Sequence, residues 1–334
     1  MFNKVYEKIK SFIKENYKEL LIYILVFVIL TYRLPFYIYI GGGTIDLKKR
    51  IDLEGNETGS YNMAYVKEMH ATIPTYLLSL IIKSWDLENI SEVKLNDQES
   101  QKDIDKREKL YLEEANDHAI INAYKLAGKK IEIRQSNYKV IYKSPESDTD
   151  IEVGDTLISV NGIKIKNNSE YKEYLKSLNV GEKLTVKVER NFKEITCYAV
   201  LKEINNEKII GLYLVNTYDY EVDPKINLTF HWNESGPSGG LMLSLAIYDR
   251  LISEDLTKGR KIVGTGTIDQ EGHVGEIGGV KYKLLGASHD KADIFFVPTK
   301  NYDEALKTKN DFNLKIDLVS VETLEDAINY LKKN

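Results

Sequence analysis

The sequence predicts a mixed α+β fold with one N-terminal transmembrane helix, on three observations. First, Leu20–Ile40 is a 21-residue run with one charge, Arg33, close to the length an α-helix needs to cross hydrocarbon. Second, several segments alternate apolar and polar residues with strand period, such as Ile226–Phe230 and Lys183–Arg190. Third, apolar residues recur at helical spacing directly behind Gly/Pro turns, as in Leu241, Leu243, Leu245, Ala246, Ile247, Leu251 and Ile252.

The composition is that of a globular protein. The chain has 334 residues, 43% hydrophobic and 29% charged, enough for two or three domains. A net charge of −5 argues against a nucleic-acid partner, because a phosphate backbone demands a basic face. The single cysteine, Cys197, excludes an intramolecular disulfide and a four-cysteine zinc site. It lies in an alternating run, which reads as a buried structural thiol.

Residues 1–19 form an amphipathic segment carrying Lys4, Lys8, Lys10, Lys14 and Lys18. These lysines place the N-terminus in the cytoplasm and the bulk of the chain outside the cell membrane. Tyr32, Arg33, Tyr37 and Tyr39 stand toward the far end of the 20–40 stretch, where tyrosines anchor and arginine snorkels. A cleaved signal peptide would need small residues at its end, and Tyr37-Ile38-Tyr39-Ile40 offers none. Gly41-Gly42-Gly43 loosens the exit. Strand character follows over 59–66, then a helix around Pro74–Trp85 and a polar loop over 86–103. A helical pattern runs from Asp105 to Ala127 and stops at Gly128.

The composition shifts at about residue 131. Ile131–Tyr142 alternates. Ile151 to Gly162 then reads Ile-Glu-Val-Gly-Asp-Thr-Leu-Ile-Ser-Val-Asn-Gly, with Asn161-Gly162 as a hairpin turn. A helix over Ser169–Leu178 and two long strands, Lys183–Arg190 and Glu194–Leu201, complete this part. The Gly-Asp-x-Leu-Ile-x-Val-Asn-Gly pattern resembles a PDZ domain over roughly 131–204. Such domains take an extended peptide as an added strand. The sequence does not reveal which residues here would bind it. Asp155 reads as a turn-fixing residue.

The chemistry-bearing stretch is Glu234-Ser235-Gly236-Pro237-Ser238-Gly239-Gly240-Leu241. It reads as strand, turn and helix, with Ser238 at the helix start. Free N–H groups and the helix dipole favour negative charge there, which suits the oxyanion of acyl transfer. On this stretch alone, a serine that caps its helix is the better reading. A second segment, Gly275 to Ala287, carries Gly278-Gly279 followed by Lys281 and Lys283 at the edge of an apolar helix face. Periodicity does not choose between the two lysines. A lysine desolvated on that face would lose its proton readily and could serve as a general base for a serine hydroxyl.

Taken in order, Gly236-Pro237-Ser238-Gly239-Gly240, Gly264-Thr265-Gly266-Thr267-Ile268 and the Gly278-Gly279-Val-Lys-Tyr-Lys segment resemble the proteolytic domain of Lon-type serine proteases. The layout is similar to a narrower group, the membrane-anchored, PDZ-containing Lon-like proteases of Gram-positive bacteria. The resemblance implies that Ser238 is the nucleophile and Lys283, not Lys281, its base. It makes Thr265 a support for the lysine, and Gly236, Pro237 and Gly239 part of the nucleophile turn. Two positions depart from the family pattern: Gly239, where alanine is usual, and Ser235, where many members carry an acid.

The resemblance also implies that 44–130 and 205–334 fold into one α+β domain, with the PDZ domain of 131–204 inserted. No Gly-x-x-x-x-Gly-Lys-Ser/Thr or His-Glu-x-x-His motif occurs, so neither a nucleotide, a metal nor another cofactor is expected. The expected activity is an ATP-independent, membrane-tethered serine endopeptidase with a Ser-Lys dyad. Its partners would be extracytoplasmic peptides or proteins, with PDZ-assisted recognition. A Ser238–His231 triad is the chemical alternative. A catalytically silent PDZ adaptor at the membrane is the functional one.

Overall fold

The computed structural model describes residues 2–89, 94–96, 99–165 and 168–334. In chain order it begins with α1 (Phe2–Thr31), β1 (Arg33–Asp46), β2 (Ile51–Asp52), β3 (Ser60–Thr72), α2 (Ile73–Ser79), β4 (Asp86–Asn89) and α3 (Gln101–Leu126). The chain divides into two compact units, one of residues 1–41 with 66–95, the other of 42–65 with 96–334. Strands β1 and β3 each run from one unit into the other.

In the first unit β1 pairs antiparallel with β4, with Ile38 opposite Leu87. The transmembrane helix expected over 20–40 does not form as one element. The helix stops at Thr31 and Arg33–Ile40 belong to β1. Among the described residues, no helix is long and apolar enough to cross a membrane. The physical reason lies in the second half of the run. Pro35 cannot sit in a helix interior, and the Tyr/Ile-rich residues around it favour a pleated surface. Ile38 is fully buried there. The loop expected over 86–103 gives way to β4 at its start and α3 at its end; residues 90–93 and 97–98 of it lie outside the described residues.

The second unit is built on a sheet of order β18-β17-β14-β3-β1, formed with β14 (Lys261–Gly264), β17 (Ile294–Pro298) and β18 (Asp317–Val321). Strands β3, β14, β17 and β18 are mutually parallel. Ile294–Pro298 is buried at every position, as a central parallel strand covered on both faces requires. The central helix is α5 (Gly240–Leu251), buried from Gly240 to Asp249. It packs against α3 through one core that unites Leu47, Tyr61, Ala119, Ala123 and Tyr124 with Leu241, Leu245 and Ile247. Residues before and after the PDZ stretch therefore share a core. Helix α3 starts where Ser100 Oγ accepts from the Asp103 N–H, the usual way to satisfy a free helix-end donor.

The intervening residues form their own core. It is built from β5 (Lys130–Lys143), β6 (Thr156–Val160), β7 (Ile163–Lys164), α4 (Asn168–Ser177), β8 (Lys183–Arg190), β9 (Lys193–Val200), the short pair β10 (Lys202–Ile204) and β11 (Glu207–Ile209), and β12 (Leu212–Asp223). The sheet order is β12-β5-β6-β8-β9. Cys197 is buried in this core, and burial raises its thiol above the ordinary range. Asp155, 1% exposed, accepts from the Glu152 N–H and from Arg190, which ties the turn before β6. This core draws on Ile210, Leu212 and Leu214, past residue 204. The remaining elements are β13 (Asn227–Leu228), β15 (Thr267–Ile268), β16 (Val274–Gly275), α6 (Val280–His289), α7 (Tyr302–Asp311) and α8 (Leu324–Lys333).

Candidate active site

The loop carrying Ser238 is held from both sides. Arg50 forms a bidentate, half-buried pair with Glu234, and Glu234 also accepts from the His231 N–H. Further on, the Gly236 N–H donates to the Glu108 carbonyl at 3.0 Å. Gly236 has φ +86°, a left-handed conformation that glycine adopts without steric cost. Pro237 then fixes the chain into the turn, and the Gly240 N–H closes it onto the Pro237 carbonyl.

The Ser238 carbonyl is pinned by two donors, the Gly266 N–H at 2.8 Å and Thr265 Oγ1 at 3.1 Å. A trans peptide points its C=O and N–H in opposite directions, so fixing this carbonyl turns the Gly239 N–H the other way. Among the described residues, the N–H groups of Ser238 and Gly239 donate to no backbone carbonyl. Both stand at the mouth of α5, where the helix dipole favours negative charge.

Lys283 lies in the first turn of α6. That helix begins after Gly279, at φ +70°, and its entry is fixed by Asn301, which bonds both the N–H and the carbonyl of Ile277. Val280, Leu284 and Ala287 pack into the core beneath α6, which carries Lys283 inward to 5% exposure. Its amine donates to Thr265 Oγ1 at 3.2 Å. Burial pulls the lysine down to about 8 from its ordinary 10.5, because desolvation penalises the ammonium. The Thr265 hydroxyl is thus shared. It accepts from Lys283 and donates to the Ser238 carbonyl, so three of the residues singled out in the sequence meet. Lys281 is half-buried, with its amine 5.5 Å from the centre of the Tyr282 ring.

Among the described residues, no histidine side chain bonds to Ser238. His231 is exposed. His118 bonds the Ile268 carbonyl, and His273 bonds Asp269. Asp269, Glu271 and His273 bring three possible ligand atoms within 4.8 Å of one another. Asp269 already accepts from the Glu271 and His273 N–H groups, so these contacts account for the β15–β16 turn.

Sequence reasoning missed one wall of the site. A cavity of about 720 Å³ opens beside Pro237, lined by Tyr111, Glu114, Ala115 and His118 of α3 and by Ile268 and Val274 across from them. Burial raises the carboxyls of Glu108 and Glu114 above the usual carboxylate range. Residues 108, 111, 115 and 118 follow helical i, i+3, i+7, i+10 spacing, a signal that was present but mute until α3 packed beside the Ser238 loop.

Residues 232–333 match the Lon protease (S16) C-terminal proteolytic domain, and residues 94–199 match a PDZ domain. The chain carries a Lon-type proteolytic domain and a PDZ domain. Lon protease homolog 2, peroxisomal, of Caenorhabditis elegans is 38% identical over 96 residues, 29% of this chain and 12% of that protein. The Lon protease of Campylobacter jejuni is 33% identical over 123 residues, 33% of this chain and 15% of its own length. The chain therefore matches a small part of these Lon proteases. The PDZ domain of an SdrC-like protein from Listeria monocytogenes aligns at 21% identity with 25% of this chain and 93% of its own, at a TM-score of 0.23. The Lon-type domain contains Ser238, Thr265 and Lys283. The PDZ match begins ahead of α3, the helix that lines the cavity.

Proposed function

We propose that this protein is an ATP-independent, membrane-tethered serine endopeptidase that cuts extracytoplasmic peptides or proteins. Ser238 attacks the scissile carbonyl. Neutral Lys283 takes the hydroxyl proton and returns one to the leaving amine. The Ser238 and Gly239 N–H groups receive the oxyanion. The PDZ domain holds an extended segment of the substrate. The observation that carries this reading is the buried Lys283 amine bonded to Thr265, whose hydroxyl holds the Ser238 carbonyl. The test uses denatured casein and a fluorophosphonate probe on purified protein. Ser238→Ala and Lys283→Ala are expected to abolish both cleavage and labelling with unchanged circular dichroism. Full activity in either variant defeats the dyad, and a PDZ adaptor becomes the better account.

The tether in this reading is the apolar end of α1, where every residue from Leu21 to Leu30 is exposed. The lysines preceding it set the N-terminus on the cytoplasmic side. The helical part, Leu20–Thr31, covers only about 18 Å at 1.5 Å per residue, against about 30 Å of hydrocarbon. Crossing therefore requires flanking residues to enter the bilayer as well. Protease digestion of intact spheroplasts is expected to remove the catalytic domain. Its full protection would defeat the extracytoplasmic placement.

A further inference from the structure

Residues Ile73 to Trp85 read Ile-Pro-Thr-Tyr-Leu-Leu-Ser-Leu-Ile-Ile-Lys-Ser-Trp, with one charge, Lys83. Helix α2 starts from a Thr72–Thr75 capping pair with Pro74 in its first turn. The turn continues past it, with the Ile81 and Ile82 N–H groups on the Leu78 carbonyl and the Trp85 N–H on that of Ile82. These bonds carry the turn past the helix end, yet no residue of α2 is buried. Leu77, Leu78, Leu80 and Ile81 are 55%, 45%, 65% and 82% exposed. Scattered exposed leucines need no explanation; four large apolar side chains within five positions do.

What covers them is indicated by their neighbour in the same unit. Helix α2 touches α1, and α1 is exposed and apolar around its whole circumference from Leu21 to Leu30. A helix with no polar side has nothing to offer water, and one protein partner covers only one of its faces. Lipid covers all of them. The borders suit the same environment. Tyr76 packs its ring on Phe36 at 5.8 Å, and Lys83 and Trp85 follow the apolar cluster, residue types that favour the headgroup level.

We propose that the Ile73–Trp85 segment is a second lipid-binding element, seated with its leucine and isoleucine side chains in the headgroup–acyl boundary of a phospholipid bilayer beside α1. Thirteen residues are too few to span, and an apolar stretch of that length suits an interfacial segment. The inference rests on the membrane-tether reading and extends it to a part of the chain 40 residues further on.

The chain has two tryptophans, Trp85 and Trp232, so the test is direct. Full-length Trp232→Phe protein, with Trp85 as its only reporter, is reconstituted into phosphatidylcholine–phosphatidylglycerol vesicles with or without brominated acyl chains. Trp85 emission is expected to fall at least about twofold with brominated lipid, while Trp232 in the Trp85→Phe protein stays unchanged. Adding Leu80→Ser and Ile81→Ser should relieve the quenching without altering labelling of Ser238. Flotation of the same vesicles separates the two readings. Protein that fails to float defeats the tether and this inference together. Protein that floats with Trp85 unquenched defeats this inference alone, and cross-linking through the segment would then assign it to a second copy of the chain.

Discussion

In the proposed mechanism Lys283 trades stability for reactivity. Its amine is nearly excluded from water and lowered to about 8 by desolvation. If it is the base, it must be neutral to act, so kcat/KM is expected to rise with pH through about 8 and level off above. A profile that turns near histidine's ordinary value of about 6.5 would instead point to a histidine base. The same shift carries a stability cost. The unfolded chain holds this proton up to its ordinary value of 10.5, the folded chain only to about 8. The cost is therefore fully present below pH 8 and is relieved as pH rises toward 10.5. At 1.36 kcal/mol per pKa unit it amounts to ~3 kcal/mol. Lys283→Met, close in shape and uncharged, should therefore raise the melting temperature at pH 7 while abolishing cleavage. A lower melting temperature would show that the Thr265 contact outweighs desolvation. The motifs made Ser238, Thr265 and Lys283 legible as candidates. They could not show that Lys283 turns inward while Lys281 lies beside Tyr282, because α6 has apolar residues on more than one side and only packing chooses. The Tyr111–His118 wall was illegible for the same reason, since nothing in α3 alone announces which face meets the Ser238 loop.

At the scale of elements, the start of α5 depends on two glycines pressed against their neighbours. A Cβ on Gly240 would stand 2.8 Å from Ile268 Cγ2, and one on Gly239 would stand 2.2 Å from Met63 Sδ. Gly239 has a negative φ of −93°, open to residues with a side chain, so its requirement is space, not backbone freedom. The departure from the alanine usual at this position is then explained locally, because Met63 of β3 fills the volume a methyl group would take. Gly239→Ala alone is expected to destabilise the fold by roughly 1–3 kcal/mol through overpacking. Gly239→Ala combined with Met63→Ala should cost less than the sum of the two single changes, as neighbouring sites do when they share one volume. Strict additivity in urea unfolding would show that the two do not compete. The stretch from Leu20 to Ile40 teaches a different lesson about elements. An average over 21 residues registers apolar content and is blind to a change of period within it. Leu34, Phe36, Ile38 and Ile40 alternate with Arg33, Pro35, Tyr37 and Tyr39, and that period-two signal belongs to β1.

Across the whole molecule, the two domains are joined by a two-stranded ribbon. Strands β5 and β12 pair from Lys130–Asp223 to Lys143–Leu212. At one end Ile131, Tyr220 and Val222 pack on the proteolytic core; at the other Tyr138, Val140, Leu212 and Leu214 pack on the PDZ core. The sequence marked both domains through their turn motifs. It could not mark a sharp boundary, because each of the two paired strands runs on from one core into the next without a turn between them. A paired ribbon is also a place where the chain can be cut and rejoined. Lys139 faces Val215 across it, Lys139 reaches Glu113, and the Asn216 N–H reaches Glu114. Replacing residues 140–214 by Asn-Gly, which closes a two-residue hairpin, keeps both anchors on α3 and removes nearly all of the PDZ core. If the cores are energetically separate, the shortened protein should fold and label with fluorophosphonate as the full chain does. Short peptides should be cut at the full-length rate. Protein substrates should lose roughly 10²-fold in kcat/KM, because the tethered PDZ domain no longer raises their local concentration. Equal loss for short peptides and proteins would mean that the ribbon and the PDZ domain shape the catalytic site itself.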